Sequence, residues 1–360
     1  MLQYDKGVKE FLFEDDRPFN SCHSASLLVL PNGEILVTYF GGTREREPDV
    51  AVWTSRRTAD GWQPPVKVAD EPDVPLWNPV LFQREDGLIF LFYKVGPSPS
   101  QWKTMVIRSD DNGHTWTEPE ELVPGDIGGR GPVKNKPIVL SDGTIAAPGS
   151  LEPQWDCFVD LSTDGGLTWD RRMVPLDHSK LKFNGIIQPT LWESEPGHVH
   201  MLTRSTEGCI FRSDSTDYGR TWCEAYPTEF PNGNSGFDLV KLKNGTLVMA
   251  LNPTRPEPGK KKGARTPLVV WQSDDNGLTW RKEFLLDDGE KQYSYPAVVV
   301  DDEAVHIAYT WRRERIAYWK IPLSKRVEAD IIIMKLDILA NDVVYHVASV
   351  PVRLQEASLS

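Results

Sequence analysis

The chain of 360 residues has only four cysteines, Cys22, Cys157, Cys209 and Cys223, and neither they nor its seven histidines fall at metal-ligand spacing. A zinc-organised core and a disulfide-stapled scaffold are both excluded, and buried free thiols are expected instead. No apolar run approaches the roughly 18 residues of a membrane-spanning helix. Met1 to Asp16 carries alternating charge without an apolar stretch, which reads as no secretory leader and a cytoplasmic location. No glycine-rich phosphate loop follows a strand-like run, so no cofactor and no metal are expected. Basic residues are the minority, 40 against 52 acidic, and the net charge of -12 argues against nucleic acid or an anionic membrane as partner. A local basic pocket for a small anionic substrate remains compatible with that balance.

Glycine, proline and tryptophan are plentiful, at 27, 28 and 13 residues. With 39% hydrophobic residues they suit many short strands joined by turns, with aromatic packing between sheets. One pattern organises them. Ser-x-Asp-x-Gly-x-Thr-Trp occurs at Ser109 to Trp116, Ser162 to Trp169, Ser215 to Trp222 and Ser273 to Trp280, with starts 53, 53 and 58 residues apart. The Ser and Asp side chains can satisfy turn amides, the Gly can take positive φ, and the Trp can pack beneath the turn, so each copy closes a hairpin. The period is one propeller blade long. One period before Ser109, Ser55 to Trp62 with Asp60-Gly61-Trp62 reads as a worn copy.

Between the boxes the same strand grammar recurs, with turns at Pro31-Asn32-Gly33, Glu85-Asp86-Gly87, Ser141-Asp142-Gly143, Glu195-Pro196-Gly197, Lys243-Asn244-Gly245 and Asp301-Asp302-Glu303. Six such units predict an all-β, six-bladed β-propeller over residues 1–323. The sixth unit lacks a box and an outer strand, so Gly7 to Phe13 is expected to supply that strand and close the ring. Residues 324–360 hold two apolar stretches around Asn341-Asp342, read as a hairpin extension.

The repeated box resembles the Asp-box of the sialidase superfamily, over about residues 18–322. In that family the boxes face away from the active site, which implies that chemistry collects at the first-strand starts and second-to-third loops. The resemblance also implies an arginine triad for a substrate carboxylate, an acid/base Asp in the blade-one loop, and a Tyr nucleophile paired with Glu. Leu202-Thr203-Arg204 and Arg265-Thr266-Pro267 match two arginines, while the first is absent and His23-Ser24-Ala25 stands there. In the loop Gly41 to Asp49, Asp49 is the matching acid, with Glu45 and Glu47 as rivals, and Arg44 is a candidate substrate ligand. Tyr293-Ser294-Tyr295-Pro296 matches the nucleophile segment, with Tyr293 as the matching residue and Tyr295 beside it. The family's Glu is Gln188 in Ile187-Gln188-Pro189, and an amide cannot take a phenol proton.

The same segments offer further ligand groups in Asn78, Lys94, Lys134, Lys136, Asp238, Trp311 and Arg313. Trp-Asn-Pro, Lys-Asn-Lys-Pro and Tyr-Ser-Tyr-Pro resemble segments of a divergent sialidase-like branch. An arginine at a strand end is ordinarily a solvated charge, so Arg204 and Arg265 count as ligands because they share one face. Three functions follow, each with a carbohydrate partner. One is a sialidase-like hydrolase releasing a terminal acidic sugar, with Asp49 as acid, Tyr293 as nucleophile and the arginines on the carboxylate. The second is a polysaccharide lyase on a uronic acid, with His23 or Tyr293 moving the proton. The third is a non-catalytic sugar-binding propeller.

Overall fold

The computed structural model describes residues 1–324, 328–339 and 342–353. Six antiparallel sheets of four or five strands follow one another along the chain. Blade one comprises Ser21–Val29, Ile35–Gly42, Ala51–Thr58 and an outer edge split into Gly61–Trp62 and Val66–Ala69. The split falls at Pro64-Pro65, where neither residue has an amide to give the ladder. Blades two to five start at Leu76–Gln83, Ile138–Val139, Ile186–Glu195 and Asp238–Lys241. Blade six joins Tyr293–Val300, Ala304–Trp311 and Arg315–Pro322 to the N-terminal strand Val8–Phe11, in register from Val8 opposite Lys320 to Phe11 opposite Ala317. The ring is thus closed by strand exchange between the two ends of the propeller, as expected, over a shorter strand than Gly7 to Phe13.

Six apolar clusters hold the ring, one between each adjacent pair of blades. Val37 and Tyr39 meet Ala308 and Tyr318 between blades one and six, for example, and Val248 and Val270 meet Ile307 and Tyr309 between five and six. This follows from strand periodicity: alternate residues of a sheet buried on both faces point to opposite neighbours, so both must be apolar.

The boxes sit between third and fourth strands and are built alike. In the second, Asp164 Oδ1 accepts from Thr168 N at 2.9 Å and Leu167 N at 3.1 Å, Oδ2 accepts from Thr168 Oγ1 at 2.5 Å, and Ser162 Oγ accepts from Gly166 N at 2.8 Å. Four hydrogen bonds to one exposed carboxylate hold Asp164 well below the usual carboxylate range. The first and fourth boxes repeat these contacts around Asp111 and Asp275, the latter lowered to about 2.

The innermost strands share an irregularity that no repeat in the sequence announced. In each blade one non-glycine residue at or just before the inner strand has positive φ: Ser24 at 60°, Asn78 at 43°, Lys134 at 70°, Gln188 at 55°, Asn234 at 58° and Tyr295 at 56°. In blades one, two, four and six it coincides with a skip in register. Three of these residues precede proline, which a bulge tolerates because its extra residue is unpaired in any case. Left-handed backbone at a non-glycine residue is strained, and strain of this kind gathers where side chains are aimed for a purpose.

Of the cysteines, Cys22, Cys157 and Cys209 are buried and free; Cys223 is free but exposed, correcting the expectation for that one. It sits on the box turn of blade four, where its Sγ takes the amide of Asp214 at 3.2 Å. In the tail, Glu328–Leu339 pairs antiparallel with Asp342–Arg353.

Candidate active site

On the face opposite the boxes, the kinks of blades four and six bring Gln188 and Tyr295 together. Arg204, at the end of blade four's second strand, donates from one terminal nitrogen to the Tyr295 hydroxyl at 2.6 Å and to Gln188 Oε1 at 3.0 Å. Its Nε donates to Asn234 Oδ1 at 2.6 Å, so the kink residues of three blades meet on one guanidinium. Gln188 Nε2 donates to Glu152 Oε1 at 2.9 Å and, more weakly, toward the Tyr295 oxygen at 3.3 Å. Gly236 leaves the room for this meeting, since a Cβ there would lie 3.1 Å from Gln188 Oε1 and 3.4 Å from the Tyr295 ring.

Arg265 stacks over the Tyr295 ring with its guanidinium carbon 5.2 Å from the centroid. Its one side-chain hydrogen bond among the described residues is a long 3.4 Å contact to Gln292. Burial, with Arg204 and Arg313 close by, lowers it to about 10 although Tyr295 opposes the shift. Arg313 reaches in from blade six and pairs with Glu45 of the blade-one loop at 2.7 Å. His23 lies against Tyr295 with ring centroids 4.1 Å apart and bonds Thr310 Oγ1 through Nδ1 at 2.8 Å. Burial, then the charges of Arg313, Arg265, Arg204 and Lys134, push its pKa well below the ordinary histidine value, so the imidazole is neutral. Among the described residues its Nε2 makes no hydrogen bond.

Several other predicted residues brace the site without lining it. Lys134 is 1% exposed and donates to Asn135 Oδ1 and Phe237 O, both at 2.8 Å, and to Pro296 O, tying blades three, five and six together. Burial lowers it to about 7, but three acceptors on one nitrogen favour the ammonium form, which stands 6.0 Å from the Tyr295 ring. Lys136 pairs with Asp238 at 2.9 Å, and Asp238 also accepts from Thr190 Oγ1 and Val298 N, so this acid is a strut between blades. Lys94 is spent on Thr104 Oγ1 and the Arg130 carbonyl, both at 2.7 Å. Asn78 is buried at the kink of blade two.

Four expectations are corrected. Tyr293 packs between blades five and six with Val270 and Tyr309, its hydroxyl taking, among the described residues, only Arg312 Nε at 3.2 Å, because the bulge after Ser294 reverses which residue faces the axis. Tyr295 occupies the position expected of Tyr293. Asp49 closes its own loop, its Oδ2 receiving Thr43 N at 2.8 Å and Thr43 Oγ1 at 2.7 Å. Arg44 is exposed and pairs with Glu47 at 2.6 Å. Trp311 packs on Phe11 and under Arg312 at blade six's outer side.

Sequence reasoning missed Glu152 and Trp155, which lie in the turn after blade three's second strand. That is the topological counterpart of Arg204 in blade four, so the same positional rule would have found them. Trp155 takes positive φ at 61°, and the Arg204 guanidinium stands 5.8 Å from its ring. Burial raises the pKa of Glu152 against the opposing pull of Arg204 and Lys94.

A family model described as a BNR repeat-like domain matches residues 33–307. The chain belongs to that family. No curated protein matches it. Among solved structures, this BNR repeat-like chain resembles a protein of unknown function from Dyadobacter fermentans at 16% identity and a TM-score of 0.68, over 90% of this chain and 99% of that one. It resembles the NanB sialidase from Streptococcus pneumoniae at 11% and 0.67, over 87% and 70% of the two chains. A Trypanosoma rangeli sialidase matches at 15% and 0.68, over 88% of this chain and 59% of its own. At such identities the likeness shows the fold, which is the sialidase propeller.

Proposed function

We propose that this protein is a sialidase-like glycoside hydrolase that releases a terminal acidic sugar from a glycan. The observation that carries the reading is the gathering of Arg204, Arg265 and Arg313 around Tyr295 and His23, with Arg265 holding no strong protein partner among the described residues. Like charges packed this closely are unfavourable until an anion arrives, which is the signature of a carboxylate site. The arginines hold the substrate carboxylate, and the Tyr295 oxygen attacks the neighbouring anomeric carbon. A neutral phenol suits that attack, because an attacking carboxylate would be repelled by the substrate's own. Arg204, already on the phenol oxygen, balances the charge that develops as its proton leaves.

A lyase acting on a uronic acid is the second reading, favoured by one observation: His23 is neutral, with an unpartnered Nε2 among the described residues beside Tyr295, as a base for carbon-bound proton abstraction should be. The protein should be incubated with sialosides and with uronate-ended oligosaccharides, following released sugar and ultraviolet absorbance together. Saturated acidic sugar supports the hydrolase, and new absorbance from an unsaturated product overturns it in favour of the lyase. Binding without turnover of either class overturns both and leaves a lectin.

A further inference from the structure

We propose that Glu152 is the general acid of this site, protonating the departing glycosidic oxygen in place of the blade-one loop acid. The inference rests on the hydrolase reading and names a residue that the family resemblance does not supply. The carboxylates of the blade-one loop are held by a cation or, for Asp49, through Oδ2 to the loop itself. Asp49 receives two hydrogen bonds from Thr43, Glu47 pairs with Arg44 and Glu45 pairs with Arg313. Glu152 carries no bound cation, unlike Glu45 and Glu47, and it is half-buried where Asp49 is exposed; its side-chain partner among the described residues is the neutral amide of Gln188 at 2.9 Å.

The turn that carries Glu152 is rigid. Trp155 N bonds Leu151 O at 2.8 Å, and Trp155 O accepts Ile186 N at 2.9 Å, clamping the turn to the blade-four strand that bears Gln188. Gln188 Nε2 then points at both the Glu152 carboxyl and the Tyr295 oxygen, so acid and nucleophile from blades three and six share one orienting group. The Gln at the family's Glu position thereby acquires a role, because an amide can donate to both oxygens without adding a second negative charge beside Tyr295. Burial, which favours the protonated carboxyl, agrees with that geometry.

The chemistry balances. As the Tyr295 oxygen bonds to the anomeric carbon, its own proton passes to solvent. The carbon–oxygen bond to the aglycone breaks, its electron pair stays on the leaving oxygen, and the Glu152 proton neutralises it. In the second half the Glu152 carboxylate takes a proton from the water that attacks the anomeric carbon. Tyr295 leaves with the bonding pair and recovers a proton from solvent.

The test compares wild type with Glu152→Gln and Glu152→Ala on acidic-sugar glycosides with a poor alkyl and a good nitrophenyl leaving group, with thermal unfolding as a folding control. For the alkyl glycoside kcat/KM should fall by about 10²- to 10⁴-fold, and the alkaline limb of the pH profile should vanish in Glu152→Gln. For the nitrophenyl glycoside the fall should be far smaller, and azide should restore Glu152→Ala by forming a glycosyl azide. Equal losses on both leaving groups with an unaltered pH profile, or no loss on either, would overturn the assignment while the hydrolase reading stands. If wild type cleaves no acidic glycoside, the hydrolase reading fails and the assignment falls with it. Should Glu152→Ala fail to fold, Glu152→Asp must show the same leaving-group dependence, and its absence would count against Glu152.

Discussion

Replacing Arg265 by Met should weaken acidic-ligand binding without destabilising the protein. Methionine keeps the apolar stem beside Tyr295 and removes only the charge. In the free protein that charge has one long hydrogen bond among the described residues, 3.4 Å to Gln292, and a stack on the Tyr295 ring, set against the opposing fields of Arg204 and Arg313. Little is therefore lost on folding, and some repulsion is relieved. Once a carboxylate binds, the same guanidinium can give charge-assisted hydrogen bonds, which contribute about 1.5 to 3 kcal/mol. At about 1.4 kcal/mol per tenfold, Kd for an acidic sugar should rise roughly 10- to 150-fold. Titration calorimetry with the free acid and with its methyl ester separates charge from shape. The ester should bind wild type and variant alike, and thermal melting should give a Tm no lower for Arg265→Met. Equal weakening for acid and ester, or a Tm drop with unchanged affinity, would show that Arg265 is a structural residue and would remove the central support for an anion site.

Tyr295→Phe should abolish turnover of any identified substrate while leaving binding measurable, whereas Tyr293→Phe, which gives up one 3.2 Å contact to Arg312, should cost about 0.5–1.5 kcal/mol of stability and leave kcat intact; the reverse pattern in steady-state kinetics would restore Tyr293 as nucleophile. Asp164→Ala should lower Tm, because Thr168 N and Leu167 N lose their acceptor, with kcat of the folded fraction unchanged, since the box lies on the far face. Acid should act through the same boxes. Asp275 is lowered from 3.8 to about 2 in the folded chain, so its contribution is complete above pH 4 and is lost as pH falls through about 2. A Tm series should therefore decline over that window, and Asp275→Asn should flatten the decline.

Periodicity alone settled the fold. Four identical boxes at blade spacing, with apolar alternation between them, demand sheets buried on both faces, and such sheets can be satisfied only by neighbours on either side. The missing outer strand of blade six and its supply by the N-terminus were legible for the same reason, since counting strands is arithmetic on a repeat. Arg204 was legible because its place at a second-strand end is a topological address. The facing of Tyr293 and Tyr295 was not. Two tyrosines two residues apart share a face of a regular strand, and only the kink at Tyr295, with its φ of 56°, sends one to the axis and the other between blades. Nor could the sequence show that Asp49 caps its own loop or that Glu152 reaches Gln188 from another blade. Those depend on hydrogen bonds between residues 6 and 36 positions apart, chosen by backbone geometry that no local pattern encodes. Repetition in sequence specifies what all the blades have in common; a functional site is built from what each blade does differently, and that difference is decided where their inner strands meet.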